Sequence, residues 1–200
     1  VGKTFLIREF FRDAIRFELT GIHDAPRSLQ LRNFSDQLGR ATGSRIRLET
    51  PADWYAAFGQ LTVFLESLDT SQRHVVFFDE IPWLSTRRSG FLQALEHFWN
   101  SWASRQSHIV LVICGSAAAW MIDRVIHNRG GLYNRVTRRI RLEPFTLTEV
   151  REFLASRKVR LEPRAIIELF MALGGIPHYL KEVEPGRSAA QSIDAICFSP

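Results

Sequence analysis

The sequence predicts an α/β fold built on a parallel sheet, and three observations carry that prediction. His74 to Phe78 and Ile109 to Cys114 are short apolar runs, too short for helices, with the pattern of strands buried on both faces. Around and between them lie stretches with apolar residues at helical spacing. Each run is followed at once by polar residues, Asp79-Glu80 and Gly115-Ser116, at the strand ends beyond which α/β sheets bind ligands.

Taken in order, Phe5 to Phe11 is an apolar run carrying Arg8 and Glu9 at helical spacing, and predicts a helix. Ala14 to Gly21 sets Ile15, Phe17 and Leu19 against Arg16, Glu18 and Thr20, the alternation of a half-buried strand near a sheet edge. A helix is expected over about Ser28 to Ala41. Thr50 is placed to cap the next helix, with Pro51 at its first position and Asp53 at its third, ahead of an apolar face of Trp54, Phe58, Leu61, Phe64, Leu65 and Leu68. Phe91, Leu92, Leu95, Phe98, Trp99 and Trp102 trace a helical stripe that belongs in the core. A last strand is expected around Arg138 to Leu142, then helices near Leu147 to Arg157 and Pro163 to Leu173.

At 200 residues and 46% hydrophobic composition, the chain can bury one sizeable domain with an appended lid. It contains no repeat, and no apolar stretch approaches the roughly 20 residues of a membrane span, so a soluble cytoplasmic protein without a membrane partner is the default expectation. Cys114 lies inside an apolar run and Cys197 far from it, without metal-ligand spacing. The six histidines are scattered, none paired at the i, i+4 spacing of a helical zinc site. A net charge of +5, carried mostly by Arg, permits phosphate or nucleic-acid binding and equally describes a solvated surface.

The chemistry begins at Val1-Gly2-Lys3-Thr4, which reads as the tail of the phosphate-binding pattern G-x-x-x-x-G-K-[ST]. In that pattern backbone N–H groups cradle phosphates, the Lys reaches the β/γ-phosphates, and the hydroxyl holds Mg²⁺. Gly-Lys-Thr also suits an ordinary turn; the helix predicted directly after it is what a phosphate loop must open onto. The second constellation is Asp79-Glu80: an Asp there can hold Mg²⁺ and the following Glu can polarise an attacking water, whereas a structural alternative has the pair merely ending a strand. Gly115-Ser116 lacks the G-x-S-x-G elbow and a placed His, so Ser116 suits a γ-phosphate sensor better than a nucleophile.

These residues, with Phe77 to Leu84, Cys114-Gly115-Ser116, Gly130 to Arg139 and Gly174 to Leu180, give the chain a resemblance to the prokaryotic AAA+/STAND-type P-loop ATPases, of the group described as archaeal-type. The resemblance implies a three-layer α/β/α core with a sheet ordered 5-1-4-3-2, and a helical lid. On that basis residues 1–145 are expected to form the ATPase core and residues 146–200 the start of the lid. The chain lacks an initial Met and the strand expected before the loop, so it is expected to be an internal piece of a longer protein that, taken alone, binds ATP weakly or not at all.

The resemblance also implies roles: Val1, Gly2, Lys3, Thr4 and Phe5 at the nucleotide, Thr4 and Asp79 on Mg²⁺, Glu80 and Ser116 in catalysis. Pro177, within Gly175-Ile176-Pro177, is similar to a lid motif lying near adenine, and as residues alone it equally starts a helix. Arg135 is placed like an arginine finger, often supplied by a neighbouring subunit, which leaves a homo-oligomer open. The expectation is Mg²⁺-dependent ATP hydrolysis driving a switch or motor. Against it stands a non-hydrolysing ATP-binding adaptor or a DNA-associated module, kept open by the basic cluster Arg135, Arg138, Arg139 and Arg141.

Overall fold

A computed structural model of the chain describes residues 2–116, 121 and 135–199. They divide into two compact units, Thr4–Arg139 and Ile140–Pro200, the latter grouped with Val1–Lys3.

In the first unit, helix α1 (Lys3–Phe11) runs through a 3-10 turn into strand β1 (Ile15–Thr20). Helices α2 (Arg27–Ala41) and α3 (Trp54–Glu66) precede strand β2 (His74–Asp79). The short helix α4 (Ile81–Leu84) and α5 (Phe91–Ser101) lead to strand β3 (Ile109–Ile113). The strands form a parallel sheet in the order β1-β2-β3, with Leu19 opposite Phe78 and Phe78 opposite Ile113. Successive parallel strands joined by helical crossovers are the α/β arrangement expected from the alternation of patterns. Among the described residues β1 lies at the edge, as its alternation predicts; β2 is the central strand and is buried along its whole length.

One face of this sheet, carrying Phe17, Leu19, Val76 and Phe78, packs under Phe34, Trp54, Phe58, Phe91 and Phe98. Their rings meet edge-on or tilted, as between Trp54 and Phe91 at 4.8 Å, with Phe58 stacked on Phe98 at 5.1 Å. Such pairs add about 0.5–1.5 kcal/mol each beyond their area. The stripe predicted on α5 is therefore core at Phe91, Leu95 and Phe98, while Leu92, Trp99 and Trp102 lie at its margin.

Three expectations need correction. Asp53, not Thr50, caps α3: its carboxylate accepts from the Ala56 N–H at 2.8 Å, so Pro51 precedes the helix instead of opening it. β3 is covered less than a strand buried on both faces, because it pairs along one edge only among the described residues and Val110 to Ile113 are half-buried. No strand forms at Arg138 to Leu142; residues 136–146 are irregular, Ile140 is exposed, and Arg141 pairs with Glu143 at 2.7 Å in solvent. Among the described residues no strand pairs with this segment, and a strand is not stable without a neighbour.

The second unit is helical: α6 (Leu147–Ser156), α7 (Pro163–Leu173), the short α8 (Pro177–Leu180) and α9 (Ala189–Cys197). Val150, Leu154, Ile166, Leu169, Leu173 and Leu180 form its core. Gly175 is required by space: a Cβ there would lie 1.9 Å from the Phe145 carbonyl oxygen, whose own N–H donates to the Gly175 carbonyl at 2.7 Å. Among the described residues no helix is long and apolar enough to cross a membrane.

Candidate functional site

The carboxyl end of β2 delivers Asp79, almost fully buried, and then Glu80. Asp79 accepts on both oxygens: Oδ1 from the Glu80 N–H at 3.0 Å, and Oδ2 from the Thr4 hydroxyl at 2.5 Å. Thr4 and Asp79 are 75 residues apart in sequence, and their meeting is a product of the fold. It is secured from α1, where Arg8, one turn beyond Thr4, holds Glu18 of β1 through Nε at 3.0 Å and its terminal nitrogen at 2.6 Å. The Glu18 hydrogen bond pushes the Arg8 pKa up; partial burial opposes this, and the charges of Glu18 and Asp79 add to the rise.

Glu80 adopts a left-handed backbone, φ 49° and ψ 49°, in the turn that opens α4. For a residue with a side chain this costs on the order of 1–3 kcal/mol, and such strain gathers where a side chain must be aimed. Its carboxylate Oε2 accepts from both the N–H and the hydroxyl of Ser116, at 3.0 and 2.8 Å. Neighbouring strand ends hold the turn: the Ile81 N–H donates to the Cys114 carbonyl at 3.0 Å and the Gly21 N–H to the Asp79 carbonyl at 2.9 Å.

Thr4, Asp79, Glu80 and Ser116 thus gather at the carboxyl end of the central strand. Gly2, with φ 87°, sits directly before α1, which Lys3 opens and whose Phe5 is exposed. Arg135 is exposed in a turn. Pro177 opens α8 in the helical unit. Val1 and the segment 130–134 lie outside the described residues.

The donor set fits Mg²⁺. A hydroxyl and a carboxylate in contact are hard oxygen ligands, and Mg²⁺ is bound through one or two such groups with water and phosphate oxygens, not by an all-protein cage. No cluster of three or more His, Cys, Asp or Glu side chains suited to a metal occurs among the described residues.

Sequence reasoning passed over Gly21 and Gln30. Gly21 stands directly after an alternating strand, where a glycine marks either a turn or a close approach of backbone. A buried Gln on α2 carried no signal in its pattern.

No protein-family model matches the chain, and no curated protein matches it significantly. Among solved structures, the Walker-type ATPase PABY2304 of Pyrococcus abyssi is similar with a TM-score of 0.62 at 16% identity. The match covers 97% of this chain and 59% of that one, so the chain spans under two thirds of its neighbour's length. At that identity the likeness is one of fold: this chain shares the α/β fold of a Walker-type ATPase.

Proposed function

We propose that this chain is the nucleotide-binding core of a Mg²⁺-dependent ATPase. The observation that carries the reading is the contact of the Thr4 hydroxyl with Asp79 at 2.5 Å, which joins the end of a phosphate-loop pattern to the acid closing a buried central strand. In this reading Gly2 and Lys3 engage the phosphates, with Lys3 neutralising β/γ-phosphate charge, and Thr4 and Asp79 hold the cation. Held there by Thr4 and Asp79, Mg²⁺ would offset the negative charge that develops on the phosphates.

Glu80 orients the attacking water and takes its proton at the carboxylate. With Oε2 occupied by Ser116, Oε1 is the oxygen left for that water. Ser116 tells the site whether a γ-phosphate is present, because a phosphate oxygen competes with Glu80 for its hydroxyl. Arg135 as a finger, Pro177 near adenine, the lid as a nucleotide-driven switch, ATP in preference to GTP, and a homo-oligomer are carried by the family resemblance.

The test separates the two acids in the full-length protein. Glu80→Gln is expected to leave ATP affinity nearly intact by calorimetry while lowering turnover roughly a hundredfold or more, the scale of a lost general base. Asp79→Asn is expected instead to raise the Mg²⁺ concentration needed for activity. Unchanged turnover in Glu80→Gln overturns hydrolysis by this site and favours a non-hydrolysing ATP-binding adaptor.

A further inference from the structure

We infer that Gly21, pinned by Gln30, is a positioning residue that sets the aim of Glu80; the inference rests on the role of Glu80 proposed above. Gly21 follows β1, and its N–H extends the β1–β2 pairing by donating to the Asp79 carbonyl at 2.9 Å. A Cβ at Gly21 would lie 2.6 Å from the Glu80 carbonyl oxygen, 3.1 Å from the Trp83 Cβ and 3.2 Å from the Leu84 Cγ. Gly21 is not among the glycines with positive φ, so its backbone shape does not demand glycine. Space against the Glu80 turn demands it.

Gln30 holds this arrangement in place from α2. It is almost fully buried, and its amide makes three hydrogen bonds to the two segments that meet at Gly21. Its Oε1 accepts from the Ile22 N–H at 3.1 Å, while Nε2 donates to the Ile22 carbonyl at 2.6 Å and to the Trp83 carbonyl at 3.2 Å. Ile22 adjoins Gly21, and Trp83 lies in the helix that Glu80 opens. Gln30 therefore fixes the distance between the segment after β1 and the turn after β2. A methyl group at Gly21 would force the Glu80 carbonyl back from 2.6 Å to at least 3.4 Å, the start of ordinary contact. Glu80 sits in a left-handed conformation with its carboxylate on Ser116, and a backbone shift at that residue swings the carboxylate directly.

Misplacement on the scale of an ångström costs a reacting group on the order of a hundredfold. In the full-length protein, Gly21→Ala is expected to lower kcat roughly tenfold to a hundredfold with KM and Kd for ATP unchanged. Gly59→Ala, where a Cβ meets nothing within 4 Å, is expected to match the parent. The decisive variant is the double substitution Gly21→Ala with Glu80→Gln. A residue acting through Glu80 adds nothing once Glu80 is disabled, so the double variant should turn over no more slowly than Glu80→Gln alone.

A full Gly21→Ala loss added on top of Glu80→Gln overturns the inference, as does parent-like kcat in Gly21→Ala while Glu80→Gln is slow. If Glu80→Gln itself is unaffected, the parent reading fails instead, and the two failures are told apart. Should Gly21→Ala fail to fold, Gln30→Met, which keeps the volume and removes the hydrogen bonds, takes its place with the same expected outcome. Loss of ATP affinity in both variants overturns the inference, because a positioning role leaves binding intact.

Discussion

The unit spanning residues 4–139 buries rings: Phe17, Phe34, Trp54, Phe58, Phe78, Phe91 and Phe98 close over one face of its sheet. The unit beginning at residue 140 buries aliphatic chains, Val150, Leu154, Ile166, Leu169 and Leu173 among them. Their helix starts differ as well. In the helical unit, α6 and α9 each begin with a complete capping box, Thr146 with Glu149 and Ser188 with Gln191. In the sheet-bearing unit, α3 has the single cap of Asp53, α2 starts without a side-chain cap, α5 starts from Gly90 at φ 74°, and α4 starts from Glu80 in the left-handed region. Side-chain caps and uncapped starts occur in both units, since α3 is capped by Asp53 while α7 and α8 have no side-chain cap; what marks the strand end beside Asp79 is the left-handed backbone of Glu80. Departures from local preference at such places are the expected mark of a functional site.

If the two cores are packed separately, damage to one should be read in its own signal. Four of the five tryptophans, Trp54, Trp83, Trp99 and Trp102, lie among the described residues and all four fall in the sheet-bearing unit, so intrinsic fluorescence reports mainly that unit while far-UV circular dichroism reports both. Phe58 meets Trp54, Phe78, Phe91 and Phe98, and Phe58→Ala should cost about 3–5 kcal/mol in the fluorescence-detected urea transition. Leu169→Ala should leave that transition in place and lower the dichroic one by about 2–5 kcal/mol. Equal displacement of both signals by either substitution would break the comparison.

The same contrast explains what the sequence made legible. Helices α2, α3, α5, α6 and α7 and strands β1, β2 and β3 follow from the patterning of apolar residues, because each carries one continuous apolar face or run. The strand expected around Arg138 to Leu142 does not form because a strand needs a neighbour to complete its pairing, and among the described residues none pairs with this segment. Asp79-Glu80 and Gly115-Ser116 were legible as polar residues closing apolar runs. That Ser116 grips Glu80, and that Gly21 makes room for it, were not: both depend on which strand ends become neighbours, a property of sheet order.

Gly175 sharpens the comparison at an intermediate scale. Here the helical unit depends on tertiary contact instead of local preference, since a Cβ would fall 1.9 Å from the Phe145 oxygen. The backbone at one of these residues must move, which also breaks the 2.7 Å hydrogen bond between them. Gly175→Ala should lower the dichroic transition by about 3 kcal/mol, as severe overpacking does, with the fluorescence transition unmoved. A neutral Gly175→Ala would mean that this approach is looser than it stands.

The smallest effect tests the capping boxes through pH. Hydrogen bonds from the Thr146 N–H at 2.7 Å and the Thr146 hydroxyl at 2.8 Å, the backbone one dominant, hold the Glu149 carboxyl below its ordinary value of 4.5. A carboxyl depressed in the folded state stabilises it fully above the unfolded value, and that contribution disappears as the pH falls through the folded one. Glu149→Gln should therefore be less stable than the parent at pH 7, with the gap closing as the pH is lowered past 4.5. Thr146→Ala should cost about 1 kcal/mol at neutral pH, the usual loss of a helix cap, while keeping part of the acid dependence because the dominant backbone donor remains. Asp69 has the same sign in the sheet-bearing unit, where Ser71 lowers its pKa through its hydroxyl and then its N–H. Acid should thus weaken both transitions, but only the dichroic one should lose part of its dependence in Glu149→Gln. A parent-like pH profile for that variant in far-UV dichroism would remove the box from the account of how the helical unit is held.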